Sequence, residues 1–146
     1  MKDSYKKHNH RLHIVIGCGR LGAIIASALS SRGIDVVIID KSKDSFGRLP
    51  TSFTGFTIEA DASDTHVLDN ADIRKAGTVI VATGDDNINI MVSQIAKVIY
   101  ETPNVITRLY DTEKEALLTG SGIGVIYPVK LEIEAFREII GMTAEE

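Results

Sequence analysis

Residues 12–40 read LHIVIGCGRLGAIIASALSSRGIDVVIID, and this stretch decides the fold. Leu12, Ile14, Val15 and Ile16 form a short apolar run that breaks into Gly17-Cys18-Gly19-Arg20-Leu21-Gly22. A helical pattern follows to Arg32, Gly33 stops it, and a second apolar run over 34–39 finishes at Asp40. The order is strand, glycine turn, helix, strand, acid. That is the context in which G-x-G-x-x-G reads as a dinucleotide fingerprint. Gly17 takes the tight turn out of the strand. Gly19 has no Cβ to hold a phosphate off the backbone, and Gly22 lets helix and sheet approach closely. The free N–H groups of the first helical turn, with the positive end of the helix dipole, then face an anion. Asp40 stands where a carboxylate accepts hydrogen bonds from both hydroxyls of an adenosine ribose. The competing reading is a degenerate Rossmann unit that binds nothing.

The alternation continues to the end of the chain. The pattern predicts a short helix capped by Ser42 or Asp44 and reaching to about Ser52, with Pro50 marking its end. A third strand over 55–61 and a short helix over 63–70 follow, with 71–73 as its frayed end. Residues 77–83 are a fully apolar fourth strand of the kind found in a parallel sheet covered on both faces. Helical spacing over 85–101 is broken by Pro103, and 104–109 makes a fifth strand. A helix over 113–118, a short strand over 123–127 and a last helix over 129–140 complete the chain. The expected fold is α/β: one Rossmann domain over 12–140, a doubly wound parallel sheet of six strands ordered 3-2-1-4-5-6. Residues 1–11 and 141–146 are read as tails. In the last helix Val129, Ile133, Phe136 and Ile140 recur at spacings of four, three and four, widened by Leu131 and Ile139. Such a stripe packs on its own sheet or docks on a neighbouring subunit, and the subunit contact is the expectation.

Composition bounds the function. A chain of 146 residues suits one domain with its core, and 44% apolar with 25% charged residues is ordinary for a soluble globular protein. The net charge of −4 implies no general attraction to nucleic acid or to an anionic membrane. Apolar runs are strand-sized, so no bilayer span and no signal peptide are expected. The single cysteine excludes an internal disulfide and suits a reducing cytoplasm. His8, His10 and His13 lie close in sequence without a cysteine or carboxylate cluster, so they read as a solvated tail and no metal site is expected. His66 reads as a helix-surface residue.

In such sheets a ligand lies across the carboxyl ends of the strands, where the strand order reverses. Four strand ends are therefore expected to converge. The first supplies Gly17, Cys18, Gly19, Arg20, Leu21 and Gly22; the second Asp40 and Lys41; the third Asp61 and Ala62; the fourth Ala82, Thr83 and Gly84. Arg20 opens the helix, where its guanidinium can fold over a phosphate. Arg108 either binds a second phosphate or pairs with Asp85, Asp86 or Asp111. Plainer readings stand beside these: Asp61 as a helix cap, Gly84 as a turn glycine, Lys41 as a solvated charge. Cys18 fills a permissive fingerprint position, with nothing beside it to activate a thiolate. No Ser-x-x-x-Lys pattern follows a tyrosine and no G-x-S-x-G occurs, so no catalytic residue is assigned. The site reads as built to bind and not to react.

On the motif over 17–22, Asp40, Glu59-Ala60-Asp61-Ala62, Val81-Ala82-Thr83-Gly84-Asp85-Asp86-Asn87, Val105-Ile106-Thr107-Arg108 and 122–128, the chain resembles the N-terminal lobe of RCK domains, the TrkA-N family. The resemblance implies a cytoplasmic regulator, held at the inner face of the plasma membrane by an integral membrane potassium transporter or channel. It implies homodimers built through the last helix, commonly arranged in octameric rings, and adenine ligands: AMP, ADP, ATP, NAD or NADH. Full-length regulators of the family carry a second lobe, and this chain stops before one, as a stand-alone or truncated form would. ATP-responsive members hold a glutamate shortly after the equivalent of Pro128; here that place is Val129, which leaves AMP, ADP or NAD as the more open candidates. Asp40 argues against NADP, because its charge opposes a 2′-phosphate. The leading expectation is a non-enzymatic nucleotide sensor. The alternative is a small NAD-dependent oxidoreductase subunit that lacks its own substrate domain. A third, a redox sensor that binds NADH on DNA, lacks both a winged helix and a basic face.

Overall fold

A computed structural model describes residues 12–143. Its elements are β1 (Leu12–Ile16), α1 (Arg20–Ser31), β2 (Asp35–Asp40), a 3-10 segment (Lys43–Arg48), β3 (Phe56–Glu59), α2 (Thr65–Asn70) and a 3-10 turn (Ile73–Lys75). They continue with β4 (Ala76–Val81), α3 (Asp86–Gln94) running into a π turn (Ile95–Ile99), β5 (Asn104–Arg108), a 3-10 segment (Thr112–Leu117), β6 (Gly124–Ile126) and α4 (Pro128–Ile140). All five strand pairings are parallel, in the order β3-β2-β1-β4-β5-β6. This is the six-stranded doubly wound Rossmann sheet that the alternation predicts, with the order reversing between β1 and β4.

The strands alternate between two cores, because successive side chains leave opposite faces of a sheet. Ile14, Ile16, Val37, Ile39, Val79 and Val81 pack with Leu68 of α2 and with Ile90 and Val92 of α3. Val15, Val36 and Ile38 face the other way, against Ala23 and Ala26 of α1, with Phe46, Leu49 and Phe53 completing that layer. The second layer covers β1 and β2 but stops short. Ile80 and Ile106 are only half-buried and Ile126 is exposed, so among the described residues no helix covers the β4–β6 half of that face.

Several boundaries differ from the sequence expectation. The helix expected to reach about Ser52 is a 3-10 segment ending at Arg48, and Ser42 stands at its N-cap without a side-chain hydrogen bond. Pro50 has no N–H to donate and biases Leu49 toward extended backbone, as observed at ψ 138°. The helix expected from 63 starts at Thr65, because the Asp64 carboxylate caps the His66 N–H at 3.0 Å. The supposed frayed end over 71–73 is a turn: Asp72 adopts φ 58° and leads into Ile73–Lys75, with Ile73 buried. The helix over 85–101 loses α geometry at Ile95, where the Tyr100 N–H reaches five residues back to the Ile95 carbonyl at 3.2 Å. The helix expected over 113–118 is 3-10, opened by Asp111 accepting from the Glu113 N–H at 2.9 Å.

His8 and His10, and the tail reading of 1–11, lie outside the described residues. His13 belongs to β1 and is half-buried, paired in register with Val36 and Thr78, which corrects its grouping with the tail. Among the described residues no group of histidine, cysteine and carboxylates could hold a metal ion, and no helix is long and apolar enough to cross a membrane.

Helix α4 is well terminated. Pro128 opens it, and Gly141 at φ 71° closes it with the Met142 N–H bonded to the Arg137 carbonyl at 2.9 Å. Yet its apolar stripe does not pack on its own sheet: Phe136 is 69% exposed and Ile139 82%. The Lys130–Glu115 ion pair, 3.0 Å, ties its first turn to the body of the fold.

Candidate functional site

The carboxyl ends of β1, β2, β3, β4 and β5 open on one crevice of about 730 Å³, located at the reversal of strand order. Its near half is backbone. Gly17 continues the ladder on both sides of β1, its N–H bonded to the Ile39 carbonyl at 2.8 Å while the Ala82 N–H reaches Ile16 at 2.8 Å. Gly17 then turns at φ 101°, and a Cβ there would lie 2.6 Å from the Ala82 carbonyl oxygen. A Cβ on Gly22 would overlap the Gly17 carbonyl oxygen, so helix and turn touch only because both residues are glycine. Gly19 faces open space, and no side chain caps the start of α1. The first-turn N–H groups are therefore presented at the crevice.

Two of the predicted site residues do not line it. Cys18 is fully buried, and its polar groups all turn toward the end of β2 and the segment after it. Its N–H donates to Asp40 Oδ2 at 2.8 Å, its Sγ–H to the Ser45 carbonyl at 3.3 Å, and its carbonyl accepts from Arg48 Nη1 at 3.3 Å. It is a staple between the turn and 40–48, not a permissive position. Burial pushes its thiol up, with the nearby Asp40 charge adding to the effect. Gly22 sits beneath the turn, consumed by packing. The other predicted residues, Gly17, Gly19, Arg20, Leu21, Asp40, Lys41, Asp61, Ala62, Ala82, Thr83, Gly84 and Arg108, all line the crevice.

The carboxylates are already partly engaged. Each oxygen of Asp40 accepts one backbone N–H, from Cys18 and from Ser42, both at 2.8 Å. One lone pair per oxygen is left toward the crevice. Asp61 Oδ1 accepts from the Ser63 hydroxyl at 2.7 Å and the Ser63 N–H at 2.9 Å, and these bonds hold its carboxyl below the usual carboxylate value. Asp61 therefore lines the crevice while also organising the loop before α2; the α2 cap itself is Asp64.

The far half is built by side chains. Arg108 pairs with none of the candidate carboxylates. Asp85 caps α3 through the Asn87 and Ile88 N–H groups, Asp86 accepts from the Tyr110 and Asp111 N–H groups at 2.9 and 2.8 Å, and Asp111 caps its own 3-10 segment. Arg108 instead donates through Nη2 to the Ala82 and Thr83 carbonyls at 3.2 and 3.4 Å and stacks over the Tyr110 ring, 4.8 Å to its centroid. Its Nε is buried and has no hydrogen-bond partner among the described residues. Arg20, Lys41, Arg48 and Arg108 line one crevice, and among the described residues none makes a salt bridge.

Ser45, Arg48, Asp85 and Tyr110 are lining residues that the sequence reading left out. Ser45 and Arg48 lie three residues apart on one face of the 3-10 segment and turn that face to the crevice; nothing in their residue types marks them in the sequence. A signal did exist for the far half: Asn89, Asp86 and Ser93 fall on the apolar side of α3, and all three are buried.

The TrkA-N domain family matches residues 13–128. A Streptomyces coelicolor protein named Trk system potassium uptake protein TrkA is 35% identical over 120 residues, 82% of this chain and 54% of that protein, so the chain spans about half the length of this relative. Among solved structures, the TrkA-N domain of the Escherichia coli inner membrane protein ybaL superposes with a TM-score of 0.77 at 18% identity, covering 90% of this chain and 96% of that one. The GsuK channel bound to NAD gives 0.75 at 22% identity, covering 90% of this chain and 23% of that one. With the family match spanning β1 to the start of α4 over a sheet of this order, the chain belongs to the TrkA-N domain family.

Proposed function

We propose that this chain is a non-enzymatic nucleotide sensor that regulates a potassium transporter or channel in the membrane. An adenine nucleotide, AMP, ADP, ATP or NAD/NADH, occupies the crevice and biases how subunits pack, and a membrane partner reads that arrangement from the cytoplasmic face. One observation carries the reading: Arg20, Lys41, Arg48 and Arg108 line one crevice with Asp40, Asp61 and Asp85, and among the described residues none of the four cations makes a salt bridge. Cations that outnumber the carboxylates, set beside the N–H groups of a first helical turn, suit a phosphate. The relative named for potassium uptake and the neighbour bound to NAD support the assignment. Gly17, Gly19, Arg20 and Leu21 take the first phosphate, Asp40 and Lys41 the ribose, Asp61 and Ala62 the adenine edge, and Ala82, Thr83, Gly84 and Arg108 the remainder. The Asp40 charge at the ribose opposes a 2′-phosphate, so NADP is not a ligand.

Helix α4 is the transmitting element in this reading. An exposed apolar stripe and a half-sheet without a helix are complementary deficits, and a second copy of the chain fills both. A dimer through α4, extendable to an octameric ring, follows. Phe136→Asp is expected to shift the chain toward monomer in sedimentation while leaving its circular dichroism unchanged; an unchanged sedimentation profile removes α4 from the interface.

A thermal-shift titration with AMP, ADP, ATP, NAD, NADH and NADPH tests the nucleotide claim. A ligand at a hundred times its dissociation constant stabilises by about 2.7 kcal/mol. At least one of the first five raises the melting temperature and NADPH raises it less than NADH. No shift from any at millimolar concentration defeats the proposal.

A further inference from the structure

Asn89 sits in α3 with 0% exposure, behind the crevice and not lining it. A buried amide must find partners for two lone pairs and two N–H donors. Asn89 finds all four on two strand ends. Its Oδ1 accepts from the Thr83 N–H at 3.0 Å and the Thr83 hydroxyl at 2.6 Å. Its Nδ2 donates to the Thr83 carbonyl at 3.1 Å and the Arg108 carbonyl at 2.8 Å. One side chain thus fixes Thr83, two residues past β4, and Arg108, which ends β5, the two backbones that carry the far half of the crevice.

We propose that Asn89 is a positioning residue that preforms the far half of the nucleotide site, so that it governs affinity for whatever a ligand carries beyond its adenosine monophosphate. The inference rests on the adenine-nucleotide reading above. The near half is held by Gly17, Gly22 and Cys18, none of which hydrogen-bonds to Asn89; it meets the Asn89-held wall where Gly17 backs onto Ala82 and Thr83. Without Asn89 the Thr83 carbonyl keeps only its 3.4 Å contact to the guanidinium of Arg108, and the Arg108 carbonyl loses its Asn89 bond. Arg108 then keeps its Nη2 bonds, but to a Thr83 carbonyl and from a strand end that each lack one anchor, and the second phosphate loses a rigidly fixed donor.

Calorimetric titration of the full chain with AMP and with NADH tests this. NADH is expected to bind at least tenfold more tightly than AMP to the unaltered chain. Asn89→Ala is expected to leave AMP affinity within about twofold and to remove most of the NADH advantage. Thr107→Val is the control: its hydroxyl ties β5 to the Val81 carbonyl at 3.0 Å, deeper in the same strand pair, so it costs stability but keeps the NADH-to-AMP ratio. Equal losses for both ligands in Asn89→Ala make Asn89 merely structural and overturn the proposal, as does an unchanged ratio or an unaltered chain that binds NADH no better than AMP. Binding of neither ligand to the unaltered chain overturns the proposal, and no binding of ADP, ATP or NAD either defeats the nucleotide reading itself. Hydrogen exchange on the unaltered chain without ligand gives a test that needs no variant to fold. The Thr83 amide is expected to be protected like its β4 neighbours, and fast exchange there contradicts a preformed wall.

Discussion

The two halves of the crevice solve the same problem with different chemistry. The near half, the turn after β1 and the end of β2, is held by the absence of side chains: Gly17 and Gly22 are in backbone contact that no other residue permits. The far half, the ends of β4 and β5, is held by side chains that reach out of α3: Asn89 to Thr83 and Arg108, Asp86 to the Tyr110 and Asp111 amides. The first is brittle, because a single Cβ disrupts it. The second is modular, because its partners are separate hydrogen bonds that can be lost one at a time.

Glycine substitutions should expose this contrast most strongly. Gly22→Ala drives a Cβ into the Gly17 carbonyl and is expected to cost about 3 kcal/mol, read as a fall in the urea midpoint. Gly84→Ala, with nothing within 4 Å of its Cβ position, is expected to stay within about 0.5 kcal/mol of the parent. Equal costs at the two positions would erase the distinction between the halves.

Asp86→Ala comes next. It leaves the Tyr110 and Asp111 N–H groups without their acceptor beneath the far wall, at about 2 kcal/mol. The midpoint should fall by that amount while AMP affinity, a near-half property, is retained. Arg108→Gln is smaller in stability and specific in binding. It removes the far cation, and affinity for NADH should fall about tenfold, or about 1.4 kcal/mol, against little change for AMP. If AMP and NADH lose equally, Arg108 serves the near half and the division is misplaced.

The smallest effect concerns Cys18. Burial raises its thiol above the ordinary value near 9.0, so the folded state favours the neutral form. That contribution is complete below the ordinary thiol value and is lost as pH rises through it toward the folded value. Stability should therefore decline above about pH 9 more steeply in the parent than in Cys18→Ala, measured as urea midpoints across that range. Parallel profiles would mean the staple between the turn and 40–48 is not sensitive to the thiol.

The same contrast explains what the sequence revealed. The near half was legible because its determinants are local: Gly17, Gly19, Gly22 and Asp40 fall within one strand–helix–strand unit, and their spacing carries the geometry. The sheet order followed from repeated short apolar runs with helical crossovers, which leave few topologies. The far half was less legible because its determinants are distant in sequence. Arg108 was noticed as a charge, but its partners are the Ala82 and Thr83 carbonyls and the Tyr110 ring, contacts no spacing rule predicts. Cys18 was read as a filler because a buried cysteine and a permissive one look alike in sequence. The 3-10 segments at 43–48 and 112–117 read as α-helices because six residues hold too few turns to separate the two periods.

Photolabelling tests the central claim most directly. Irradiation of the full chain with 2-azido-AMP, followed by peptide mapping, should place the label on peptides carrying residues 40–48 or 58–62, beside Asp40 and Asp61, and excess AMP should suppress it. Labelling that AMP does not suppress, or that falls outside the strand ends around the crevice, would contradict a nucleotide site at the reversal of strand order.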